Sequence, residues 1–298
     1  MTPITIGITT RNRAAALERC VRSLGSLHID DLAVLVFDDA SDPPVDPGDA
    51  WHPGVPVRVI RDERGVGYIA GRNRLVQEAG TDYVLLLDDD TALLSADAIG
   101  RACEILDADR AVGAVAFAQA EADGRPWPES MQPGRGEHPA VVSSFTGFAH
   151  LIRRELFLRL GGYLERLVFY GEEKDFCVRL MDAGFKTVYL PEARVAHLPD
   201  PSGRSQSRYV RYVIRNDCLS SFHREPWPLA LVGLPVRLWR YTRMARNIEG
   251  GDSGGLTWIV GQLVREFPAA VRARRAVKWS TIRAWRRLSR TTVPYVRP

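Results

Sequence analysis

Short apolar segments alternate with helix-like patterns along the first 120 residues. Each apolar segment has the length of a strand and ends at turn-forming or acidic residues, whereas the segments between them repeat apolar side chains every three or four positions. This alternation predicts strand–helix–strand units, and therefore an α/β domain with a mostly parallel sheet and flanking helices. The predicted strands are residues 4–9, 32–37, 57–60, 83–87 and 111–118, and the predicted helices are residues 14–27, 67–79 and 96–108.

The second half of the chain is predicted to contain fewer strands. Residues 119–140 are rich in Gly, Pro and charged side chains, which predicts a surface loop over a cleft. Helices are predicted at 150–160 and 172–183, because glycine follows both segments, and a short strand is predicted at 187–190. The last third is predicted to be mostly helical, with breaks at Pro226, Pro228, Pro235 and Pro268.

The two parts of the chain carry opposite charge. Residues 1–207 hold 22 basic and 31 acidic side chains, whereas residues 208–298 hold 18 basic and 5 acidic ones. The split predicts an acidic α/β domain over 1–207 and a basic helical region over 208–298. Such a region favours an anionic partner, which can be a membrane surface, a lipid phosphate or a nucleic acid, but a solvated arginine-rich face fits the pattern equally well.

Residues 268–290 are the strongest candidate for a surface contact within the basic region. They predict one helix with Val271, Ile282 and Trp285 on a shared stripe, which Lys278 interrupts. Arginine beside tryptophan is typical of a helix lying on an anionic membrane, while the same features suit a helix packed on the α/β domain. Nucleic acid is not favoured as a partner, because the sequence lacks a defined module of base-stacking aromatic residues.

Cysteine usage and hydropathy indicate a compartment. Four cysteines lie far apart without a CxxC pair, so the sequence indicates neither a thiolate metal cage nor a disulfide framework. The first residues lack a basic leader followed by an apolar stretch, and no window reaches about 18 uninterrupted apolar residues. The sequence therefore predicts a cytoplasmic protein, peripheral on the inner face of the membrane if the basic region binds lipid.

Polar clusters follow three of the predicted strands, at residues 9–12 (TTRN), 38–41 (DDAS) and 88–90 (DDD). Because ligands collect at the carboxyl ends of parallel strands, these clusters mark a candidate site. Clustered carboxylates repel one another unless a cation or strong donors neutralise them, and carboxylate oxygens suit Mg²⁺ or Mn²⁺. The sequence therefore predicts a divalent metal here, with an acidic turn that caps the next helix as the alternative.

A second acidic group, Glu172 and Glu173, begins the helix predicted at 172–183. Acidic residues in a first turn favour the helix dipole, so a purely structural role is the alternative to a catalytic one. At about 100° per residue the two side chains face different directions, so one can support the fold while the other faces a cleft. His197 follows the last predicted strand, and a lone histidine indicates no role by itself.

Five motifs, TTRN, DDAS, GRNR, LDDDT and GEEKDF, occur in this order along the chain. Together they resemble glycosyltransferase family 2 over about residues 3–200. The resemblance implies a GT-A fold and an inverting, metal-dependent transfer of a sugar from a nucleotide-diphosphate donor to a hydroxyl or amine. It further implies a nucleotide-binding half over about 1–118 and an acceptor and catalytic half over about 119–207. Polysaccharides, lipid-linked glycans and secondary metabolites are the implied classes of acceptor.

The resemblance also implies roles for individual residues. Glu173 holds the second place of the family's ED motif and is implied as the catalytic base, but the family generally has Asp there, which keeps Glu172 open as an alternative. Asp90 and His197 are implied as ligands of Mn²⁺ or Mg²⁺, and segment 145–148 resembles the family's loop on the sugar side. Arg72 is implied to approach the base, and Asp88 the ribose or a metal-bound water. The full set of implied nucleotide contacts is Thr9, Arg11, Asp38, Asp39, Arg72, Asp88 and Asp89.

Two other functions remain open on the sequence alone. A nucleotidyltransferase also uses an acid-held metal on an α/β sheet, but it requires a Gly-rich phosphate loop with a lysine after the first strand, and TTRNR offers neither. A noncatalytic nucleotide- or membrane-binding module would keep the carboxylates without using them. For the transferase, the predicted partners are a nucleotide sugar and a glycosyl acceptor, with no nucleic acid.

Overall fold

The structure is a computed structural model that describes residues 3–26, 32–46, 57–95, 97–199, 205–248 and 251–298. The strands are β1 (Ile4–Thr10), β2 (Leu32–Asp39), β3 (Val57–Asp62), β4 (Tyr83–Asp88), β5 (Thr91–Leu93), β6 (Val112–Ala120), β7 (Ala140–Val142), β8 (Ala149–Arg153), β9 (Lys186–His197) and β10 (Val293–Pro294). The helices are α1 (Ala14–Ser23), α2 (Tyr68–Glu78), α3 (Asp97–Ala108), α4 (Arg154–Arg159), α5 (Glu172–Asp182), α6 (Gln206–Arg224), α7 (Leu229–Ala245), α8 (Gly255–Arg272) and α9 (Trp279–Leu288).

One mixed sheet organises the described residues, in the strand order β10-β7-β9-β6-β8-β4-β1-β2-β3, with β5 paired to β9. The parallel arrangement predicted for the first half is present, because β1 pairs in parallel with β2 and β4, and β2 with β3. The strands predicted at 4–9, 32–37, 57–60, 83–87 and 111–118 are all confirmed. Leu27 and Ala96, at the ends of two predicted helices, lie outside the described residues.

Both faces of the sheet are covered by helices. Side chains of α1 and α3 pack on one face, and side chains of α2, α4 and α5 pack on the other. Ile69 and Val76 of α2 are buried there, as is Ala79 directly after the helix. Two hydrophobic layers therefore hold the central strands in place, and the carboxyl ends of β1, β2 and β4 share one edge.

The helix predicted at 150–160 is wrong in its first half. Residues 149–153 form β8, which lies antiparallel between β4 and β6, and only Arg154–Arg159 are helical. Ala149 to Ile152 are buried, as expected for a strand covered on both faces. A continuous apolar segment of this length suits a buried strand and a buried helix equally, so periodicity could not separate them.

The strand predicted at 187–190 is much longer in the structure. As β9 it continues to His197, and its pairing with β6 shifts between Leu190 and Arg194. Pro191 lies inside this irregularity, where the ladder of hydrogen bonds is interrupted and a missing N–H costs little. The extension matters for function because it carries His197 to the edge where β4 ends.

Proline positions were less informative in the C-terminal region than expected. Pro226 and Pro228 do separate α6 from α7, but Pro235 lies within α7 and Pro268 within α8, and neither ends its helix. Both of these prolines are exposed. A carbonyl that loses its helical partner at an exposed position can bond to water instead, which lowers the cost of the interruption.

The single helix predicted at 268–290 is also wrong, since α8 ends at Arg272 and α9 begins at Trp279. Ile282 and Trp285 of α9 pack against Val178 of α5, whereas Val271 at the end of α8 is half exposed. The expected stripe is therefore divided between a helix that docks on the sheet domain and one that presents its apolar face outward. Among the described helices, none is long and apolar enough to cross a bilayer.

Candidate active site

Three strand ends bring distant parts of the sequence together. Thr9 on β1 is in register with Phe37 on β2 and with Asp88 on β4, so the clusters that follow these strands become neighbours. Thr9 itself is nearly buried, with 7% of its surface exposed. The three polar clusters that the sequence marked as a candidate site therefore lie side by side at one edge of the sheet.

Asp88, Asp90 and His197 form a group that can hold a metal ion. One carboxylate oxygen from each aspartate and one ring nitrogen of the histidine all lie within 4.8 Å of one another. The pairing of β5 with β9 explains this approach, because Thr91 is in register with His197 and Leu198 N donates to Asp90 O at 2.8 Å. Two carboxylates and an imidazole suit Mn²⁺ and related divalent ions.

The ring of His197 is held in a defined orientation. It stacks between Trp127 and Phe148, with ring centroids 5.4 and 5.3 Å away. His197 Nδ1 lies 3.0 Å from Gln119 Oε1, and Gln119 Nε2 donates to Met131 O at 2.7 Å. Because this second bond fixes which end of the Gln119 amide faces the ring, Nδ1 carries a proton that Gln119 accepts, so that in the neutral form of the ring the lone pair is on Nε2. Nε2 lies 3.5 Å from Asp90 Oδ1, on the side of the metal-ligating group.

Gln119 and Trp127 belong to the region predicted as a loop over a cleft, although Gln119 is the penultimate residue of β6. Gln132 strengthens this region by accepting from Gln119 N and donating to the carbonyls of Gln119 and Trp127. Gln119 could not be identified from the sequence, because a glutamine at a strand end is common and its partner is 78 residues away.

Arg13 neutralises the acidic cluster from the opposite side. It donates to Asp89 Oδ1 at 2.6 Å and to Asp90 Oδ2 at 2.9 Å. Thr10 Oγ1 also donates to Asp89, at 2.7 Å, so this carboxylate faces β1 and lies outside the metal-ligating group. Sequence reasoning passed over Arg13, although its position in TTRNR, directly after the first strand, was the available signal.

The neighbouring carboxyls of Asp89 and Asp90 have pKa values shifted in opposite directions. Burial raises the pKa of Asp89 to about 7, against the influence of Arg13 and Thr10. Burial also acts on Asp90, but His197 and Arg13 outweigh it and lower the pKa of Asp90 to about 2. Asp90 is therefore the carboxylate that stays ionised for a cation.

Asp38 and Asp39 end β2 and hold the loops around them. Asp38 is fully buried and accepts from the backbone N–H groups of Ser41 and Val45, and from Arg61. A carboxylate occupied in this way organises its own loop, so the expectation that Asp38 contacts a nucleoside is not supported. Asp39 accepts from Val66 N at 2.6 Å and Gly67 N at 3.0 Å, at the start of α2.

Arg11 is the most exposed of the predicted contacts. Its guanidinium lies 3.7 Å from Asp39 Oδ2, and about half of the side chain is accessible to solvent. Arg11 also lies against Gly65, which has a φ of 72°, and a Cβ at that glycine would press on the guanidinium. Arg11 and Asp39 thus border an open surface that a nucleoside can approach.

Arg72 lies below the edge rather than beside a nucleotide base. Its guanidinium is buried and donates to Asp88 Oδ1 at 2.5 Å, Gly147 O at 2.8 Å and Glu172 Oε1 at 2.8 Å. With these acceptors on the two sides of the cleft, Arg72 joins the metal-ligating group to the start of α5. Three internal acceptors hold Arg72, and its approach to a nucleotide base stays a prediction.

The two glutamates at the start of α5 differ as expected from their angular separation. Glu172 has no exposed surface and accepts from Arg72 and from Tyr68 Oη, at 2.8 and 3.2 Å. Glu173 is partly exposed, and its carboxylate lies against Gly147, where a Cβ would overlap Glu173 Oε1. Because Gly147 has no side chain, it leaves room for the carboxylate of Glu173. Burial raises the pKa of both carboxyls.

An unusual loop precedes α5. Val168 and Tyr170 both have positive φ, at 63° and 66°, and Phe169 N donates to Leu167 O across a three-residue turn. Positive φ is costly for a β-branched residue such as valine, so the surrounding structure must enforce it. The buried Asn216 of α6 does so, because its Nδ2 donates to the carbonyls of Leu167, Phe169 and Tyr170 at 2.7–2.8 Å.

Asp175 attaches α5 to the C-terminal helices. It is buried and accepts from Arg179 Nε at 2.9 Å and from Arg224 Nε at 2.7 Å. Burial alone would raise the pKa of Asp175, but the two guanidinium groups outweigh it and hold the pKa below its usual value. Two groups on α6, Asn216 and Arg224, therefore fix the position of the helix that carries Glu173.

Comparison with known sequences agrees with this geometry. The sequence profile described as "Glycosyl transferase family 2" matches residues 5–161. A "Pre-mycofactocin glycosyltransferase" of Mycobacterium tuberculosis (strain CDC 1551 / Oshkosh) is 30% identical over 203 residues, which cover 65% of this chain and 42% of the relative. The "Uncharacterized glycosyltransferase YwdF" of Bacillus subtilis (strain 168) is 28% identical over 209 residues, covering 68% of this chain and 77% of that one. The chain thus spans less than half the length of the mycobacterial relative.

Solved structures share the fold at low sequence identity. S. aureus TarS 1-349 in complex with UDP superposes with a TM-score of 0.63 and 14% identity, over 97% of this chain and 90% of that one. "Mannosyltransferase PcManGT from Pyrobaculum calidifontis in complex with GDP-Man and Mn2+" superposes with a TM-score of 0.58 and 16% identity, over 95% and 78%. At these identities the likeness shows the fold, which is the GT-A type.

Proposed function

The chain belongs to glycosyltransferase family 2 and is a glycosyl-transferring enzyme, and on that premise we propose that it is metal-dependent and inverts the transferred sugar. The donor in this proposal is a nucleoside-diphosphate sugar, and the acceptor presents a hydroxyl or an amine. The observation that carries the proposal is the convergence of Asp88, Asp90 and His197 at the strand edge.

The donor would lie along the edge formed by β1, β2 and β4. Arg11, Asp39 and the backbone at the start of α2 border the nucleoside side of this edge, where Asp39 already accepts two backbone N–H groups. The diphosphate would reach the ends of β4 and β9. Structural neighbours support this class of donor, because two of them were solved with GDP-Man and with UDP-GlcNAc.

The residues of the metal-ligating group are suited to the leaving group. Asp88, Asp90 and His197 would hold the ion, which when bound would offset the negative charge that develops on the departing diphosphate. His197 offers Nε2 because Gln119 holds the proton on Nδ1. Arg13 holds Asp90 from the other side and fixes its remaining oxygen.

Glu173 is the proposed general base. Its carboxylate lies at Gly147 and is partly exposed, and it would take the proton of an acceptor hydroxyl as that oxygen attacks the anomeric carbon. Attack from the face opposite the leaving group inverts the anomeric configuration in one step. Glu172 is not favoured for this role, because it is enclosed and occupied by Arg72 and Tyr68.

The division of the chain and its compartment extend the proposal. We assign the catalytic domain to residues 1–207, with a nucleotide half over about 1–118 and an acceptor half over about 119–207, and the basic helical region to 208–298. The four cysteines are free and buried, which supports a cytoplasmic enzyme. Polysaccharides, lipid-linked glycans and secondary metabolites all remain in the class of acceptor.

Donor turnover with Mn²⁺ tests the proposal. A panel of nucleotide sugars is first screened by thermal shift, since a ligand that binds the folded state raises its melting temperature. Hydrolysis of the selected donor is then compared between the wild type and Asp90→Ala, with Asp123→Ala as a control at an exposed aspartate in the loop. We expect Asp90→Ala to lose about 10²- to 10³-fold in turnover, as loss of several kcal/mol of charge stabilisation implies, and the control to keep it. Equal rates in the wild type and Asp90→Ala would refute metal dependence at this group.

A further inference from the structure

Exposed apolar side chains are concentrated on the two helices α7 and α8. Eleven of the eighteen large hydrophobic residues that are exposed in the described chain fall between residues 227 and 271. Isolated exposed hydrophobic residues are normal on a protein surface, but a contiguous group marks a place of contact. The group consists of Trp227, Leu231, Val232, Leu234, Val236, Trp239, Leu256, Val260, Val264, Phe267 and Val271.

On α8 these side chains form one stripe along the whole helix. Leu256, Val260, Val264, Phe267 and Val271 follow at intervals of four, four, three and four residues, which places them on one helical face. Their exposed fractions run from 39% to 68%. The opposite face of α8 is the one that packs on α6, through residues such as Ile259. The stripe is therefore largely exposed to solvent.

On α7 an apolar stripe changes into a basic one. Val232, Val236 and Trp239 are spaced by four and three residues, and Arg243 and Arg246 continue the same spacing toward the end of the helix. The guanidinium of Arg243 lies 5.1 Å from the centre of the Trp239 ring. Tryptophan at the boundary between an apolar and a cationic surface is typical of helices that lie in a membrane interface.

The two stripes meet at an aromatic group. Phe222, at the end of α6, has its ring centroid 5.8 Å from Trp227 and 5.6 Å from Phe267. Trp227 precedes α7 and Phe267 lies near the end of α8, so the apolar surface continues from one helix to the other. We call the eleven residues, together with Phe222, the α7–α8 surface.

The charge around the α7–α8 surface is positive. Arg265 and Arg272 lie on one flank of the α8 stripe, seven residues apart, and α7 contributes Arg243 and Arg246. No described carboxylate forms an ion pair with any of these four arginines. The two described acids in this part of the chain are already engaged, since Asp252 accepts from Arg211 of α6 and Glu266 from Arg166.

We infer that the α7–α8 surface binds the interface of a membrane that contains anionic lipid. Its apolar stripes would enter the boundary between headgroups and acyl chains, and its arginines would meet lipid phosphates. A second copy of the chain is a poorer occupant, because a face-to-face contact would bring the arginines of both copies together at a cost in repulsion. The site differs from the helix predicted at 268–290, whose second half packs on α5.

The α7–α8 surface begins close to the catalytic cleft. Trp258, one turn into α8, packs against Tyr212 with ring centroids 5.1 Å apart, and Tyr212 packs against Phe169 at 5.7 Å. Phe169 belongs to the loop that precedes α5. Under the proposed function, a surface at this place would bring the mouth of the cleft near a lipid interface, although binding to vesicles can be measured without any transfer.

Flotation of the full chain with lipid vesicles tests the inference. Vesicles of phosphatidylcholine with 30% phosphatidylglycerol are compared with pure phosphatidylcholine, at low and high salt. We expect Val264→Asp to weaken binding to the anionic vesicles by about tenfold or more, because it places a charge in the apolar stripe. The double variant Arg243→Gln with Arg246→Gln should weaken binding roughly 25-fold, at about fivefold for each arginine lost. The control Val296→Asp, at a fully exposed valine outside the surface, should bind as the wild type does.

Each other outcome would overturn the inference. Equal binding by the wild type and Val264→Asp, or equal binding to neutral and anionic vesicles, would show that the surface or its charge is not used. Absence of flotation, together with a dimer in light scattering that Val264→Asp dissociates, would assign the surface to a second copy. Donor hydrolysis should stay unchanged in all of these variants, since none of the altered residues touches the cleft, and unchanged hydrolysis shows that they are folded.

Discussion

The two sides of the cleft hold their charged groups in different ways. On the metal side, Arg13 holds Asp90 and Gln119 holds His197, so that an oxygen of Asp90 and a ring nitrogen of His197 converge. On the base side, the two adjacent glutamates have different surroundings. Glu172 is enclosed by Arg72 and Tyr68, while Glu173 lies partly exposed over Gly147. The groups on the metal side thus converge on one point, whereas the two adjacent glutamates differ in exposure.

Arg72 connects the two sides and explains why they cannot vary independently. It donates to Asp88 on the metal side, to Glu172 on the base side and to the carbonyl of Gly147 between them. A buried guanidinium with several charged acceptors is costly to disturb, because removal of a partner leaves a charge uncompensated. The predictions below therefore change one side at a time.

The largest expected effect separates the two glutamates. Glu173→Gln should lower kcat for sugar transfer by about 10²- to 10⁴-fold, the usual contribution of a general base, with little change in nucleotide affinity. Glu172→Gln should cost less in kcat and more in thermal stability, because it removes the charged partner of the buried Arg72. Steady-state kinetics and nucleotide titration measure both variants. A larger loss of kcat in Glu172→Gln would reverse the assignment.

The pH dependence of kcat tests the role of Glu173 independently. A base must be deprotonated to act, and burial raises the pKa of Glu173, so kcat at saturating Mn²⁺ should fall toward acid at a higher pH than an ordinary glutamate would give. That acidic limb should be lost from the residual activity of Glu173→Gln. An unchanged limb in this variant would assign the titration to another group.

The next effect concerns the support of the base side. Asp175→Asn should lower the free energy of unfolding by about 3 kcal/mol near neutral pH, because Arg179 and Arg224 lose their shared carboxylate in the interior. The pKa of Asp175 is lowered in the folded state, so its contribution is present above the unfolded value of about 3.9 and is lost as pH falls through the folded value. The difference between the wild type and the variant should therefore shrink below about pH 4, as measured by urea unfolding. A difference independent of pH would contradict the charge-based explanation.

The smallest expected effect is on the metal side. Gln119→Leu removes the acceptor of the His197 Nδ1 proton and should weaken Mn²⁺ binding by about 10- to 100-fold, as measured by electron paramagnetic resonance of free Mn²⁺. Gln119→Glu keeps an acceptor and should bind more tightly than Gln119→Leu. Gln132→Leu is the matched control, because Gln132 ties the same loop without contacting His197. Equal losses in Gln119→Leu and Gln132→Leu would attribute the effect to loosening of the loop.

Much of the fold was predictable because its first half obeys local rules. The strands that end at Thr10, Asp39 and Asp88 are short, apolar and separated by amphipathic helices, so the pattern of side chains specifies both the elements and their parallel order. Residues 149–153 were predicted incorrectly because a strand buried on both faces has no alternation to distinguish it from a helix. Pro191 concealed the extension of β9, since an irregular ladder tolerates a proline that a regular one would not.

The candidate site was predictable only where its residues follow a strand or begin a helix. The sequence indicated Asp90, Glu173 and His197 through motif order. It could not show that Arg72 is enclosed, because the three acceptors come from segments 16 to 100 residues away. Gln119, Asn216 and Arg13 were missed for a related reason, since each acts through a partner that only the folded chain brings near.

Asn216 limits how the C-terminal helices of this enzyme can be removed or exchanged. One amide on α6 gathers three carbonyl oxygens of the loop before α5, so the start of the helix that carries Glu173 is positioned by the C-terminal helices. A fragment that stops at residue 207 would lose the donor that holds those oxygens in place. Exchange of the C-terminal helices with those of another family member would therefore have to transfer the Leu167–Tyr170 turn as well.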